Sequence, residues 1–87
     1  IDVLLGGSQK AFMLPTGLSM ISFSKKAWEF IKTSTLPKYY WSIEKEFKAN
    51  QKNQTYFSSP VSIIRGLKTS LDIILKVGVD EFVQRHE

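Results

Sequence analysis

Lys10 is the residue whose neighbours best equip it for chemistry. It follows Gly6-Gly7-Ser8-Gln9, a small-residue turn closing the apolar run Val3-Leu4-Leu5, and a second apolar run begins near Leu18. A lysine held at the rim of a sheet and partly desolvated can lose its proton and attack a carbonyl as a Schiff-base nucleophile. A solvated turn lysine is the commoner outcome, and spacing alone favours it. Other catalytic chemistries find less support. The 87 residues contain no cysteine, so this chain has no disulfide, thiolate metal ligand or cysteine nucleophile. A single histidine, His86, argues against a histidine zinc site or a Ser-His-Asp triad.

The elements around Lys10 are those of a small α/β piece. Val3–Leu5 reads as a buried strand ending in Gly6-Gly7, and Leu18–Phe23 as a second strand. The connection is too short for a parallel crossover, so the strands should run antiparallel. Ser24 is placed to cap a helix over Lys25–Thr33, which Thr35-Leu36-Pro37 ends. Tyr39-Tyr40-Trp41 forms an aromatic cluster expected to serve packing. Ile43 and Phe47 follow on a polar segment, and Ala49–Thr55 reads as loop. Asn53-Gln54-Thr55 is formally a glycosylation sequon. Ser58-Ser59-Pro60 predicts a serine-capped helix with proline at its first position. Its apolar stripe is Val61, Ile64, Leu67, Leu71, Ile74 and Leu75, and Gly78 is its C-cap. Asp80 and Glu81 favour the start of a further short helix.

Composition sets outer limits. A hydrophobic fraction of 43% and a charged fraction of 23% suit one ordinary small domain with a modest core. The net charge of +4 permits a nucleic-acid partner, yet the basic residues alternate with acidic and polar ones, as on a solvated face; no nucleic acid is expected. No apolar run approaches the roughly 20 residues of a membrane span, and no secretory signal is visible, so a cytoplasmic location is expected. A two-stranded ribbon with an apolar first strand needs neighbours on its edges and cover on its faces. The chain also opens on Ile1-Asp2-Val3, without an initiator methionine and already in a strand-like run. Both features suggest a piece of a longer protein, although removal of a leader or tag would leave the same start.

Two blocks resemble a known family. The first is Gly7-Ser8-Gln9-Lys10, then Met13-Leu14-Pro15-Thr16-Gly17-Leu18, Ile21-Ser22-Phe23-Ser24 and Ala27-Trp28. The second is Tyr56-Phe57-Ser58-Ser59-Pro60-Val61-Ser62, with Leu67, Leu71 and the terminal Arg85-His86. Together they resemble the class V aminotransferases, pyridoxal-phosphate enzymes of fold type I, among them the alanine–glyoxylate and serine–glyoxylate aminotransferases. Thr16 stands where relatives have a second proline, and Ser58-Ser59-Pro60 where they usually have Thr-Pro or Thr-x-Pro.

The resemblance implies a fragment of the fold type I large domain. Residues 1–77 would be the C-terminal part of that cofactor-binding domain, and 78–87 the start of the connection to a C-terminal domain outside the chain. It implies that Lys10 forms the Schiff base with pyridoxal 5′-phosphate and then shuttles a proton as general acid–base. It implies that Gln9, Ser58 and Thr55 contact the cofactor phosphate, with Tyr56 an alternative to Thr55. Ser58 would reach the cofactor of the neighbouring subunit in a homodimer. The substrates would be an amino acid and a 2-oxo acid of the glyoxylate type. Gln9 sets the chain apart from the cysteine desulfurases, which carry histidine before the lysine. The acid for the pyridine nitrogen, the stacking ring and the substrate-carboxylate arginine would all lie outside these residues, so the piece alone should be inactive. A lyase or desulfurase of the same fold is the nearest alternative, and a small non-enzymatic α+β binding module the more distant one.

Overall fold

A computed structural model describes residues 1–86. Two strands, β1 (Val3–Gly7) and β2 (Ser19–Phe23), precede four helices, α1 (Lys25–Thr33), α2 (Ile43–Asn50), α3 (Val61–Val77) and α4 (Val79–Gln84). The strands pair in a two-stranded sheet. Ser24 N donates to Asp2 O at one end of the ribbon and Ser8 N to Leu18 O at the other, both at 2.9 Å. Residue numbers fall along one strand as they rise along the other, so the pairing is antiparallel, as the short connection requires. The chain divides into two compact units. One comprises Ile1–Leu4 with Ile21–Ser59, the other Leu5–Met20 with the residues from Pro60 onward.

In the first unit, Ser24 ties strand to helix. Its Oγ accepts from Ala27 N at 3.1 Å, the cap anticipated for α1, and donates to Asp2 Oδ1 at 2.8 Å. Asp2 also faces Lys26 Nζ at 3.6 Å. Trp28 then bridges Phe23 and Phe47, with ring centroids 5.3 and 4.7 Å apart, and so packs α1 against α2. Helix α2 occupies a stretch expected to be a polar segment running into loop from Ala49. Its apolar periodicity is weak, and local signals define it instead. Buried Ser42 accepts from Lys45 N at 3.4 Å, Glu44 and Glu46 favour the positive N-terminal end, and Lys48 pairs with Glu44 at 3.1 Å. Tyr39 and Tyr40 pack on Phe57, and Tyr40 on Trp41, yet Tyr39, Tyr40 and Trp41 all remain exposed.

The second unit departs from expectation at the start of α3. Pro60 occupies the N-cap position rather than the first helical turn, and no side chain caps the helix. The anticipated serine cap is therefore absent. The far end is as expected: Gly78, at φ 100°, closes α3 with its N–H on Ile74 O at 2.9 Å. Only glycine adopts that conformation cheaply. The anticipated α3 stripe holds only in part, with Ile74 buried and Leu67 half-buried. Ser70 is buried too, whereas Val61, Ile64, Leu71 and Leu75 are 57%, 40%, 38% and 70% exposed.

Apolar exposure is general. Val3, Leu4 and Leu5, expected to be buried, are more than half exposed. Among the described residues only Ala27 and Ile74 are buried apolar side chains. Among the described residues no helix is long and apolar enough to cross a membrane, and no group of His, Cys, Asp and Glu could hold a metal ion.

Candidate functional site

The turn that carries Lys10 is built around Ser8, which is completely buried. Ser8 Oγ donates to Pro15 O at 2.6 Å and accepts from Leu18 N at 3.3 Å. Its backbone N–H donates to Leu18 O at 2.9 Å and its carbonyl accepts from Leu14 N at 3.1 Å. Four hydrogen bonds thus fold residues 8–18 onto the end of the ribbon. Within that fold, Lys10 N donates to Gly7 O at 3.2 Å and Met13 N to Lys10 O at 2.9 Å, so both backbone groups of the lysine are held. Met13 reverses the chain at φ 57°, a left-handed conformation that costs a non-glycine residue about 1–2 kcal/mol and that the surrounding bonds offset.

The lysine side chain is another matter. Lys10 is exposed, and its amine has no hydrogen-bond or ion-pair partner among the described residues. Partial desolvation was expected, but Lys10 is exposed, as are Gln9 and Ala11 on either side. Gln9 folds its amide back towards the strand end: a Cβ on Gly7 would lie 3.0 Å from Gln9 Oε1. Gly7 therefore leaves the space that the glutamine occupies.

Helix α3 forms the floor beneath this loop. A Cβ on Gly17, whose φ is 124°, would lie 2.9 Å from Ile63 Cδ1, and a Cβ on Gly66 would lie 3.0 Å from Leu14 Cδ2. Ser70 Oγ donates to Phe12 O at 2.6 Å. Gly66 and Ser70 were not singled out from the sequence. The available signal was their spacing with Ile63 and Ile74, which defines one helix face made of small and apolar residues.

The other two expected contacts lie in the first unit. Ser58 is exposed, and its hydroxyl has no partner among the described residues. Thr55 is exposed as well, but its hydroxyl donates to Phe57 O at 2.6 Å. Tyr56, the alternative to Thr55, is engaged too: its hydroxyl accepts from Lys45 Nζ at 3.2 Å and its N–H donates to Glu46 Oε2 at 3.0 Å. Lys45 also lies over the Tyr56 and Tyr39 rings, 5.2 and 5.7 Å from their centroids. Lys10, Gln9 and Ser58 thus present uncommitted polar side chains, and Thr55 presents a committed one.

The comparisons with known proteins bear on this lysine loop. No protein-family model matches the chain. Among curated proteins, the chain is 37% identical over 86 residues to an L-aspartate–glyoxylate aminotransferase of Paracoccus denitrificans, covering 99% of the chain and 22% of that protein. It is 35% identical over 88 residues to a serine–glyoxylate aminotransferase of Hyphomicrobium methylovorum, again 99% of the chain and 22% of that protein. The chain is homologous to a segment of the class V aminotransferases. It is also 46% identical, over all 87 residues, to a protein of Anabaena cylindrica named soluble hydrogenase 42 kDa subunit, of which it covers 23%. The chain therefore spans less than a quarter of the length of these relatives.

Proposed function

We propose that the chain is the lysine-bearing segment of a pyridoxal-phosphate-dependent aminotransferase that moves an amino group between an amino acid and a 2-oxo acid, with glyoxylate-type acceptors favoured. The observation that carries the reading is Lys10 itself: a backbone-fixed residue with an uncommitted amine at the end of a strand. The names of the relatives at 35–37% identity support it. The donor set suits the cofactor. Lys10 would hold it covalently through Nζ and the Gln9 amide would donate to its phosphate, while the Ser58 hydroxyl would donate to the phosphate of the partner subunit's cofactor, neither adding charge. Thr55 would join them only by turning its hydroxyl away from Phe57 O.

When bound, pyridoxal phosphate supplies an electron sink for negative charge on the substrate α-carbon. The task left to the protein is placement and proton transfer. Once displaced by the incoming amino acid, Lys10 Nζ, on a long stem rooted in a fixed turn, would take the α-carbon proton and deliver it to the cofactor carbon that keeps the amino group. Ser58 is read as serving the cofactor of the partner subunit of a homodimer. The exposed apolar strand supports the view that other parts of a longer enzyme cover this segment, which alone would be inactive.

The test is made on the intact protein with added pyridoxal phosphate. A visible absorption band should appear, and borohydride reduction with peptide mapping should place the cofactor on Lys10. Lys10→Ala should abolish the label and lower amino transfer by at least about 10²–10⁴-fold. A label on any other residue refutes the assignment. An intact protein that takes up no cofactor and co-purifies with hydrogenase activity would favour the reading suggested by the Anabaena relative.

A further inference from the structure

We propose that α3 sets the position of Lys10, and that Ser70 is its positioning residue. The inference rests on the reading of Lys10 as the cofactor-bearing amine. Ile63, Gly66 and Ser70 follow one another at intervals of three and four and so share one face of the helix. Gly17, Leu14 and Phe12 lie against that face in descending order as the helix ascends. Gly17 and Gly66 each leave out the side chain that would collide, which lets the loop lie close on the helix. Ser70 then bonds the loop directly.

That bond has no local origin. A serine inside a helix ordinarily returns its hydroxyl to a carbonyl of its own preceding turn. Ser70, only 5% exposed, instead donates to a carbonyl 58 residues away in sequence. The acceptor, Phe12 O, lies two residues from Lys10, inside the turn closed by Met13 N on Lys10 O. Ser8 pins the opposite side of the same loop. The lysine backbone is thus fixed from two directions, one of them a 17-residue helix, while the side chain stays free. A proton-shuttling amine requires this division, because a displacement of about 1 Å at a reacting group can cost about 10²-fold in rate.

The experiment compares Ser70→Ala, Ser70→Val and Ser70→Thr in the intact protein. Amide hydrogen exchange is followed at Met13 and Leu14, alongside retention of pyridoxal phosphate on Lys10 and the kinetic constants for the amino donor. Alanine and valine should raise exchange at both amides by about 5–30-fold. They should also speed cofactor loss and lower kcat with little change in KM, and threonine should restore all three. Unchanged exchange in the alanine variant overturns the proposal. Raised exchange with unchanged cofactor retention and kcat overturns it equally, since the helix would then seat the loop without positioning the lysine. If wild-type protein traps no cofactor on Lys10, the functional reading is what fails. The exchange data alone then decide whether α3 seats the loop, a rise supporting it and no change overturning it. Should Ser70→Ala not fold, Ser70→Cys keeps the shape with a weaker donor. Intermediate exchange in that variant supports the proposal, and wild-type exchange overturns it.

Discussion

Replacing Ser8 with alanine removes the clasp that shapes the lysine turn and leaves the backbone ladder in place. Two hydrogen bonds are lost: the short one to Pro15 O at 2.6 Å and the longer one from Leu18 N at 3.3 Å. A net loss of about 1 kcal/mol is typical for one good hydrogen bond, with more where a partner is stranded away from water. Pro15 is exposed, so its carbonyl can turn to solvent, and the Leu18 bond is at the weak end of the range. The expected cost is therefore about 1–2 kcal/mol, confined to residues 8–18. In native-state hydrogen exchange this becomes about a 5–30-fold rise in opening at Leu14 and Leu18, both of whose amides are bonded to Ser8. The α1 amides, in the other unit, should not respond. Cofactor retention on Lys10 should fall in parallel. Leu14 and Leu18 amides that stay within about twofold of wild type, a change worth well under 1 kcal/mol, would refute the view that this buried hydroxyl holds the loop.

Two further outcomes test other parts of the structure. Gly17→Ala should destabilise the protein by about 1–3 kcal/mol in denaturant unfolding, because φ is 124° and the new methyl would meet Ile63 Cδ1. Adding Ile63→Val should recover only the steric part, and full stability in Gly17→Ala alone would contradict the geometry. The hydrogen bond and charge of Asp72, 2.8 Å away, raise the pKa of Lys68 above its ordinary 10.5. A raised pKa in the folded state means that the pair's contribution is present below the ordinary lysine value and disappears as pH climbs through the higher folded one. Asp72→Asn should lower the Lys68 titration midpoint seen by nuclear magnetic resonance, and an unchanged midpoint would dismiss the pair.

The local features of this protein were legible because neighbouring residues cause them. Ser24 caps α1 by bonding Ala27 N three residues on, Gly78 ends α3 because its φ excludes other residues, and the short span between β1 and β2 forces an antiparallel pair. Helix α2 has little apolar periodicity, and Ser42 with two early glutamates carries its signal instead. The relation of Ser58 to Lys10 came only from resemblance, since nothing in either residue's neighbours speaks of the other.

The sequence by itself determined that a small-residue turn, Gly6-Gly7-Ser8-Gln9, carries Lys10 between two apolar runs that pair antiparallel. Only the tertiary structure decided what holds that turn. Hydropathy along α3 selects one stripe, Val61, Ile64, Leu67, Leu71, Ile74 and Leu75, of which only Ile74 is buried and Leu67 half-buried. The loop meets Ile63, Gly66 and Ser70: Gly17 leaves room for the Ile63 side chain, Gly66 for the Leu14 side chain, and the Phe12 carbonyl accepts from Ser70. Hydropathy along one segment cannot report that bond, since its acceptor lies 58 residues away in sequence.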